Sequence, residues 1–277
     1  MNILLTGASG FIGKHILDAL HAAGHQVTLV GRRQGFDFNR MLTVADWLPH
    51  VQGMDVVINS VGIIAETPAQ SFAVVHEQAP VALFAACAAA KVRRVIQISA
   101  LGVDEEGFTA YQRSKKVADD ALRRLGLDWF VLRPSLVYGA GGKSAALFAR
   151  LAALPVIPVV GDGKQMIQPV HISDVVATVM QCLHAAPARR TLDVVAAYPL
   201  TLVEWLQQIR QAQGKRVAAV FPVPLPLVMA GAAVGRFVVP MLHPDNLRML
   251  QAGNTAAVQP LATFLGRMPL SVQEAAR

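Results

Sequence analysis

Residues 2–16 read NILLTGASGFIGKHI: a short apolar run, then glycines at 7, 10 and 13, then the start of an amphipathic stretch. The run has the length and the branched side chains of a buried strand, and the glycines stand directly between it and a helical pattern. Each glycine answers a separate need: a tight turn, a close approach of backbone to a pyrophosphate, and close packing of helix on strand. The helix N-terminus adds unpaired N–H groups and a positive dipole for the phosphates. Gly7, Ser9, Gly10, Phe11, Ile12 and Gly13 are accordingly the candidate contacts of a dinucleotide. At the first strand of a βαβ unit, three glycines in this spacing are specific for that ligand; in isolation they are not.

Outward from this turn the first half of the chain alternates short apolar strands with helical segments. Strands are expected near 2–6, 26–31, 55–59, 93–98 and 128–133, with another, short one within 36–39. Helices are expected near 11–23, 69–90 and 111–125, with a poorer one near 43–51. That order predicts an α/β fold, a Rossmann-type doubly wound parallel sheet with its ligands at the carboxyl ends of the strands. The boundaries read from the sequence are a nucleotide-binding domain over 1–140, with later elements drawn from 165–196, and a small C-terminal substrate or partner lobe over most of 141–277. Within that lobe a helix is expected to open on a Ser173 cap, and another to end at Gly214.

The composition narrows the classes of function. With 53% hydrophobic and 16% charged residues, the 277-residue chain buries a sizeable core and is not disordered. The formal charge is +7. Its cations come in scattered pairs such as Arg93-Arg94 and Lys115-Lys116, without long runs or interleaved aromatics, which argues against nucleic acid as a partner. The two cysteines, Cys87 and Cys182, sit in apolar stretches without metal-ligand spacing and read as reduced core residues of a cytoplasmic protein; no metal site is expected. The N-terminus runs straight into strand and turn, so no export signal is expected.

Two segments bear on the cofactor. After the second strand, VTLVGRRQG offers Arg32 and Arg33 where a site specific for NADH would place a carboxylate for the ribose 2′-hydroxyl. Arginines there suit a 2′-phosphate, so NADP(H) is expected over NAD(H). Further on, DVVINSVGII places small residues at a strand end, making Ser60, Val61 and Gly62 the floor of the cofactor groove.

The stretch AYQRSKK, residues 110–116, sets a tyrosine and a lysine one helical turn apart, a spacing that fits a catalytic pair or two solvated side chains equally well. Together, TGASGFIG, QISALG, YQRSK, LRPSLVYGAGG and QPVHISDV resemble the short-chain dehydrogenase/reductase superfamily. The last two are similar to its extended and atypical branches, which include nucleotide-sugar epimerases and accessory-subunit-like proteins of respiratory complex I. The resemblance covers residues 1–184 well and the later VAAYPLTLVEWLQQI loosely. It implies that Tyr111 is the acid/base, that Lys115 holds the nicotinamide ribose and lowers the phenol's pKa, and that Ser99, twelve positions before Tyr111, hydrogen-bonds the substrate oxygen. It also implies backbone contact with the nicotinamide at Pro134, Ser135 and Leu136, a cleft mouth at Tyr138 and Gly139, and a pocket-side loop at His171 and Asp174.

The function expected on these grounds is NAD(P)(H)-dependent hydride transfer. The stretch 217–242 holds a single charge, Arg236, and its apolarity points to a hydrophobic carbonyl or quinone-like substrate over a nucleotide sugar. Pro222, Pro224, Pro226 and Pro240 leave about thirteen residues uninterrupted, short of the roughly twenty of a spanning helix. This stretch reads as a buried or cleft-lining helix, or as a contact with the inner membrane or a membrane protein. The rival readings are a non-catalytic nucleotide-binding accessory or redox-sensing protein of a respiratory complex, and a nucleotide-sugar epimerase or dehydratase.

Overall fold

The computed structural model describes residues 1–228 and 243–275. Two units divide the chain: Met1–Pro134 with Val175–Leu192, and Ser135–Asp174 with Asp193–Arg277.

In the first unit, β1 (Asn2–Thr6), β2 (Gln26–Val30), β3 (Val56–Asn59), β4 (Arg94–Ile98) and β5 (Asp128–Pro134) alternate with α1 (Phe11–Ala22), α2 (Val44–Val51), α3 (Ala79–Ala89) and α4 (Ala110–Arg123). The strand Arg189–Val194 completes a six-stranded sheet, in the order Arg189–Val194, β5, β4, β3, β1, β2. The pairs β1–β2, β1–β3, β3–β4 and β4–β5 are parallel. Every residue of β3 and β4 is buried, as a parallel strand covered on both faces requires. The edge strand β2 exposes Gln26 and Thr28 to water.

Three local expectations need correction. Residues 36–39 form no strand: Phe38–Arg40 is a 3₁₀ turn, with Asp37 accepting from the Asn39 N–H. Phe38 turns inward, edge-on to Trp47 at 5.2 Å, and so the strand ending in Asn59 is the third of the chain. The helix expected over 69–90 is two pieces, a π-helical turn Ala73–Gln78 followed by α3. Pro80 has no N–H to give to an i→i−4 ladder, and the wider turn ahead of it absorbs the mismatch. Finally, Ser173 is not a cap. The helix Ile172–His184 begins before it, and its hydroxyl hydrogen-bonds His171 Nδ1 at 2.8 Å.

In the second unit the strands Val156–Val160 and Ala219–Val223 pair in parallel beside the helices Lys143–Ala152 and Leu202–Ala212, over a core that includes Phe148, Ile157, Trp205 and Leu206. Asp174 is fully buried and takes hydrogen bonds from Arg267 (2.6 Å) and the Leu270 N–H (2.8 Å), fastening the C-terminal segment. Within the expected apolar helix of 217–242, Ala219–Val223 is a strand and a helix begins at 225–228, with Val217, Phe221 and Leu227 exposed; residues 229–242 lie outside the described residues. No helix among the described residues is long and apolar enough to cross a membrane. Cys87 and Cys182 are free and buried, and burial pushes both thiols up.

Arg94 joins the sheet to the helix Ile172–His184. Fully buried, it donates to Asp128 (2.5 Å), to the Cys182 carbonyl and to the Ala185 carbonyl (2.9 Å), satisfying the open end of that helix, while its guanidinium lies 5.2 Å from the Phe130 ring centre. Asp128→Ala would leave this cation buried without a counter-charge. A loss of about 3 kcal/mol is expected, read as a lower urea midpoint at unchanged slope.

Candidate nicotinamide site

β1 has β2 on one side and β3 on the other, so the strand order reverses at β1 and a crevice opens at its carboxyl end. The chain leaves there through Gly7 at φ +74, and the Gly10 N–H closes the turn on the Gly7 carbonyl at 2.9 Å. A Cβ on Gly7 would lie 2.7 Å from the Ser60 carbonyl group, and one on Gly13 would lie 2.2 Å from the Gly7 oxygen. No side chain fits at either position. Ser60 is pinned from β3 by its hydroxyl, which donates to the Thr6 carbonyl at 2.6 Å.

α1 differs from α2 and α4 at its N-terminus. α2 and α4 each open on a capping box, Thr43 with Asp46 and Thr109 with Gln112. α1 opens on Gly10, with no side-chain cap and no acidic residue in its first turn. Its N–H groups and dipole are thus left for an anion, beside a cradle that only glycine permits, and the residues fit a dinucleotide pyrophosphate. Ser9 and Gly10 are exposed there, with Phe11 and Ile12 half-buried. Beyond β2, Arg32 and Arg33 are exposed in a short 3₁₀ turn.

Tyr111, Lys115 and Asp119 follow one another at single-turn spacing on α4. Lys115 is 5% exposed and donates to the Ile98 carbonyl at 3.1 Å. Its Nζ lies 5.9 Å from the Tyr111 ring centre and 3.4 Å from where a Cβ on Gly62 would stand. Tyr111 and Lys115 are thereby brought together with Gly62 at the end of β3. His76, which sequence reasoning missed, closes the group from the π-helical turn. The Ile63 N–H donates to its Nε2 (3.0 Å), so the ring proton is on Nδ1, which donates to Ser114 Oγ (2.9 Å); that hydroxyl in turn donates to the Tyr111 carbonyl. Burial, with Lys115 adding to it, pushes the imidazole down to about 2. The ring is stacked on Phe72 and edge-on to Tyr111 at 5.5 Å.

Ser99 is placed differently from what its expected role requires. Its hydroxyl, 4% exposed, donates to Asp119 Oδ2 at 2.5 Å. Beneath it runs a buried polar row: Thr6 donates to Asn59 (2.6 Å) and Asn59 to Gln97 (2.7 Å), three residues in register across β1, β3 and β4. Asp119 was missed as well, although its position four residues beyond Lys115 on α4 could have pointed to it; the sequence carries no local signal for His76. Burial and the nearby Asp119 hold the Tyr111 phenol well above its usual range, so the protein groups by themselves do not give the lowered phenol that the resemblance implies. Pro134 accepts from the Leu101 N–H, while Ser135 is buried with its hydroxyl on the Gln168 carbonyl. The Leu136 carbonyl accepts from the Val170 N–H.

The second unit holds a cavity of 640 Å³ whose walls include Tyr138, Ala149, His171, Trp205, Gln208 and Ile209. No Asp, Glu, Lys or Arg among the described residues lines it. Tyr138 Oη, Trp205 Nε1 and Gln208 Oε1 are buried without a hydrogen-bond partner. No grouping of three or more metal-ligating side chains occurs among the described residues.

The sequence model of the NAD dependent epimerase/dehydratase family matches residues 3–195. Over 187 residues, 63% of this chain and 58% of the relative, the sequence is 27% identical to the ceramide reductase of Caulobacter vibrioides. Over 186 residues it is 29% identical to subunit 9 of the NADH dehydrogenase [ubiquinone] 1 alpha subcomplex of Mus musculus, covering 61% of this chain and 49% of that one. The chain thus matches about half the length of these curated relatives. The human epimerase family protein SDR39U1, solved with NADPH, shares the fold: TM-score 0.77, 20% identity, over 100% of this chain and 97% of that one.

Two predictions follow from the geometry. Gly13→Ala must push the turn open and is expected to lower the melting temperature by several degrees, equivalent to about 1–3 kcal/mol of overpacking, in a thermal melt. His76 is neutral in the fold and titrates near 6.5 when unfolded, so the stability tied to its neutrality is whole above that pH. It drains as the pH falls from 6.5 towards about 2, by at most about 1.4 kcal/mol per unit. Urea midpoints at pH 7 and pH 5 should accordingly differ less in His76→Gln than in the parent.

Proposed function

The chain belongs to the NAD dependent epimerase/dehydratase family, and from that premise we propose that it is a nicotinamide-dependent oxidoreductase with Tyr111 as its acid/base. The observation that carries this reading is the convergence of Tyr111, buried Lys115 and Gly62 at the strand ends, in the same unit as the uncapped α1 turn. A reduced nicotinamide bound there would supply a hydride to the carbonyl carbon of the substrate. Tyr111 then gives its phenolic proton to the substrate oxygen, and Lys115, with N–H donors to spare beyond Ile98, holds the ribose. Arg32 and Arg33, exposed beyond β2, support NADP(H) over NAD(H). Taken by itself, the cavity of the second unit has no charged side chain among the described residues, which fits a neutral, largely apolar ligand, such as a hydrophobic carbonyl or quinone, better than a nucleotide diphosphate.

A second reading is favoured by Ser99, whose hydroxyl donates to Asp119 and so does not donate to a substrate oxygen. On that reading the chain is a nucleotide-binding accessory or assembly protein, stabilised by its cofactor without turnover and docking on a membrane or a membrane protein through the face that exposes Val217, Phe221 and Leu227.

Thermal-shift titration should show greater stabilisation by NADPH than by NADH, with the difference removed in Arg32→Ala/Arg33→Ala; equal stabilisation of the parent by both rejects the NADP(H) preference. In a panel of hydrophobic carbonyls and quinones, NADPH oxidation should fall at least about a hundredfold in Tyr111→Phe, the scale of a lost general acid. Turnover that survives in Tyr111→Phe would exclude the tyrosine. No turnover in a parent that NADPH stabilises would favour the accessory reading.

A further inference from the structure

Asp119 is fully buried, and only one of its oxygens is hydrogen-bonded: Oδ2 takes the Ser99 hydroxyl at 2.5 Å, while Oδ1 has no hydrogen-bond partner. Burial raises the Asp119 carboxyl above the usual carboxylate range, and the Ser99 hydroxyl, Lys115 and Arg123 oppose that rise. The groups facing it are Ser99 and Gln97 from β4 and its following turn, and Lys115 and Arg123 from its own helix. Lys115 is buried as well. It faces the Ile98 carbonyl from β4, the Gly62 backbone after β3, His76 from the π-helical turn, and Tyr111 on its own helix. His76 is neutral and the others carry no charge, so Asp119 is the carboxylate facing Lys115 among the described residues.

We propose that Asp119 is a positioning residue of this site: its carboxylate is the counter-charge that keeps buried Lys115 an ammonium, and it clamps the Ser99 hydroxyl beside it. The two roles follow from one placement, a turn beyond Lys115 on the face of α4 that meets the end of β4. Burial pulls Lys115 down to about 8, with Asp119 opposing the fall. Without Asp119 the lysine loses its proton at a lower pH, and with it the charge that a ribose contact and a developing phenolate need. Because Ser99 donates to Asp119, it can only accept from a substrate and serves to order the site. The catalytic meaning rests on the Tyr111 and Lys115 assignment proposed above; the charge coupling itself does not.

The test uses the full chain with ¹³C-labelled lysine, following Lys115 Cε by NMR as a function of pH, with Lys115→Met identifying the signal. Asp119→Asn keeps the shape and an oxygen acceptor for Ser99 but removes the charge. The Lys115 midpoint is expected to fall by about one pH unit or more, and Asp119→Glu to return it towards the parent value. An unchanged midpoint in folded Asp119→Asn overturns the proposal. Should that variant fail to fold, the same coupling is read from the other end: in Lys115→Met, the ¹³Cγ titration of Asp119 must move up by a comparable amount, and no movement overturns it equally. Both readouts need neither cofactor nor substrate, so their failure is separate from a failure of the NADPH titration.

Discussion

The first unit depends on one close approach. The backbone at Gly7 touches both the start of α1 and the end of β3, so closely that a single Cβ at position 7 or 13 would overlap main-chain atoms. Next to that contact, the parallel β1–β3 and β3–β4 ladders align Thr6, Asn59 and Gln97 on one rung. In a parallel sheet such a rung puts its side chains on one face at strand spacing, close enough for the polar row to form. The row reaches β4, whose end carries Ser99, and Ser99 meets α4 through Asp119. The glycine turn thus stands at one end of a polar row whose other end meets the helix of the tyrosine and lysine.

The same region shows how a fold keeps ionisable groups buried without losing control of their charge. His76 is made a neutral acceptor and donor by two directed contacts, a backbone N–H on one nitrogen and a hydroxyl on the other, and burial with Lys115 nearby opposes its protonation. With the imidazole neutral, it adds no second cation against Lys115. The negative end of the local field comes from Asp119, which raises both the lysine and the phenol. Such a phenol stays protonated until further positive charge, of the kind an oxidised nicotinamide carries, is brought near it.

Much of the fold was legible because it is written in local, periodic features. The runs NILLT, VVIN and RVIQI are buried on both faces, and the three glycines stand where strand passes to helix. The 36–39 segment misled because a phenylalanine that packs inward on Trp47 looks the same in sequence whether it comes from a strand or from a 3₁₀ turn. The π-helical turn was hidden for a related reason: AVVHEQ has ordinary helical composition, and what widens it is Pro80, several residues later. Of the site, Tyr111 and Lys115 were visible as two residues one helical turn apart, but their spacing alone did not separate a catalytic pair from two solvated side chains; the family resemblance did. The direction of the Ser99 hydroxyl was not legible, since it is decided by a carboxylate twenty residues away in sequence that the fold brings to 2.5 Å. His76 reaches the group only through the topology that sets the π-helical turn over α4.

The net positive charge, read from composition alone, suggests a polyanion as partner, but several of the arginines are spent inside the fold. Arg94 satisfies the end of the helix Ile172–His184 and pairs with Asp128; Arg267 pairs with buried Asp174; and Arg210 donates to the carbonyls of Ala152 and Leu154 at the end of the helix Lys143–Ala152. Arginine suits such positions because its planar fork satisfies several carbonyls at once, which a lysine cannot do. Cations used in this way are neutralised locally and present little field to a distant phosphate backbone. Arg32 and Arg33 differ: they are exposed and stand just past the carboxyl end of β2, beside the turn that approaches a pyrophosphate. On the reading proposed above, these two exposed arginines are the cations that would meet the additional phosphate of NADP(H).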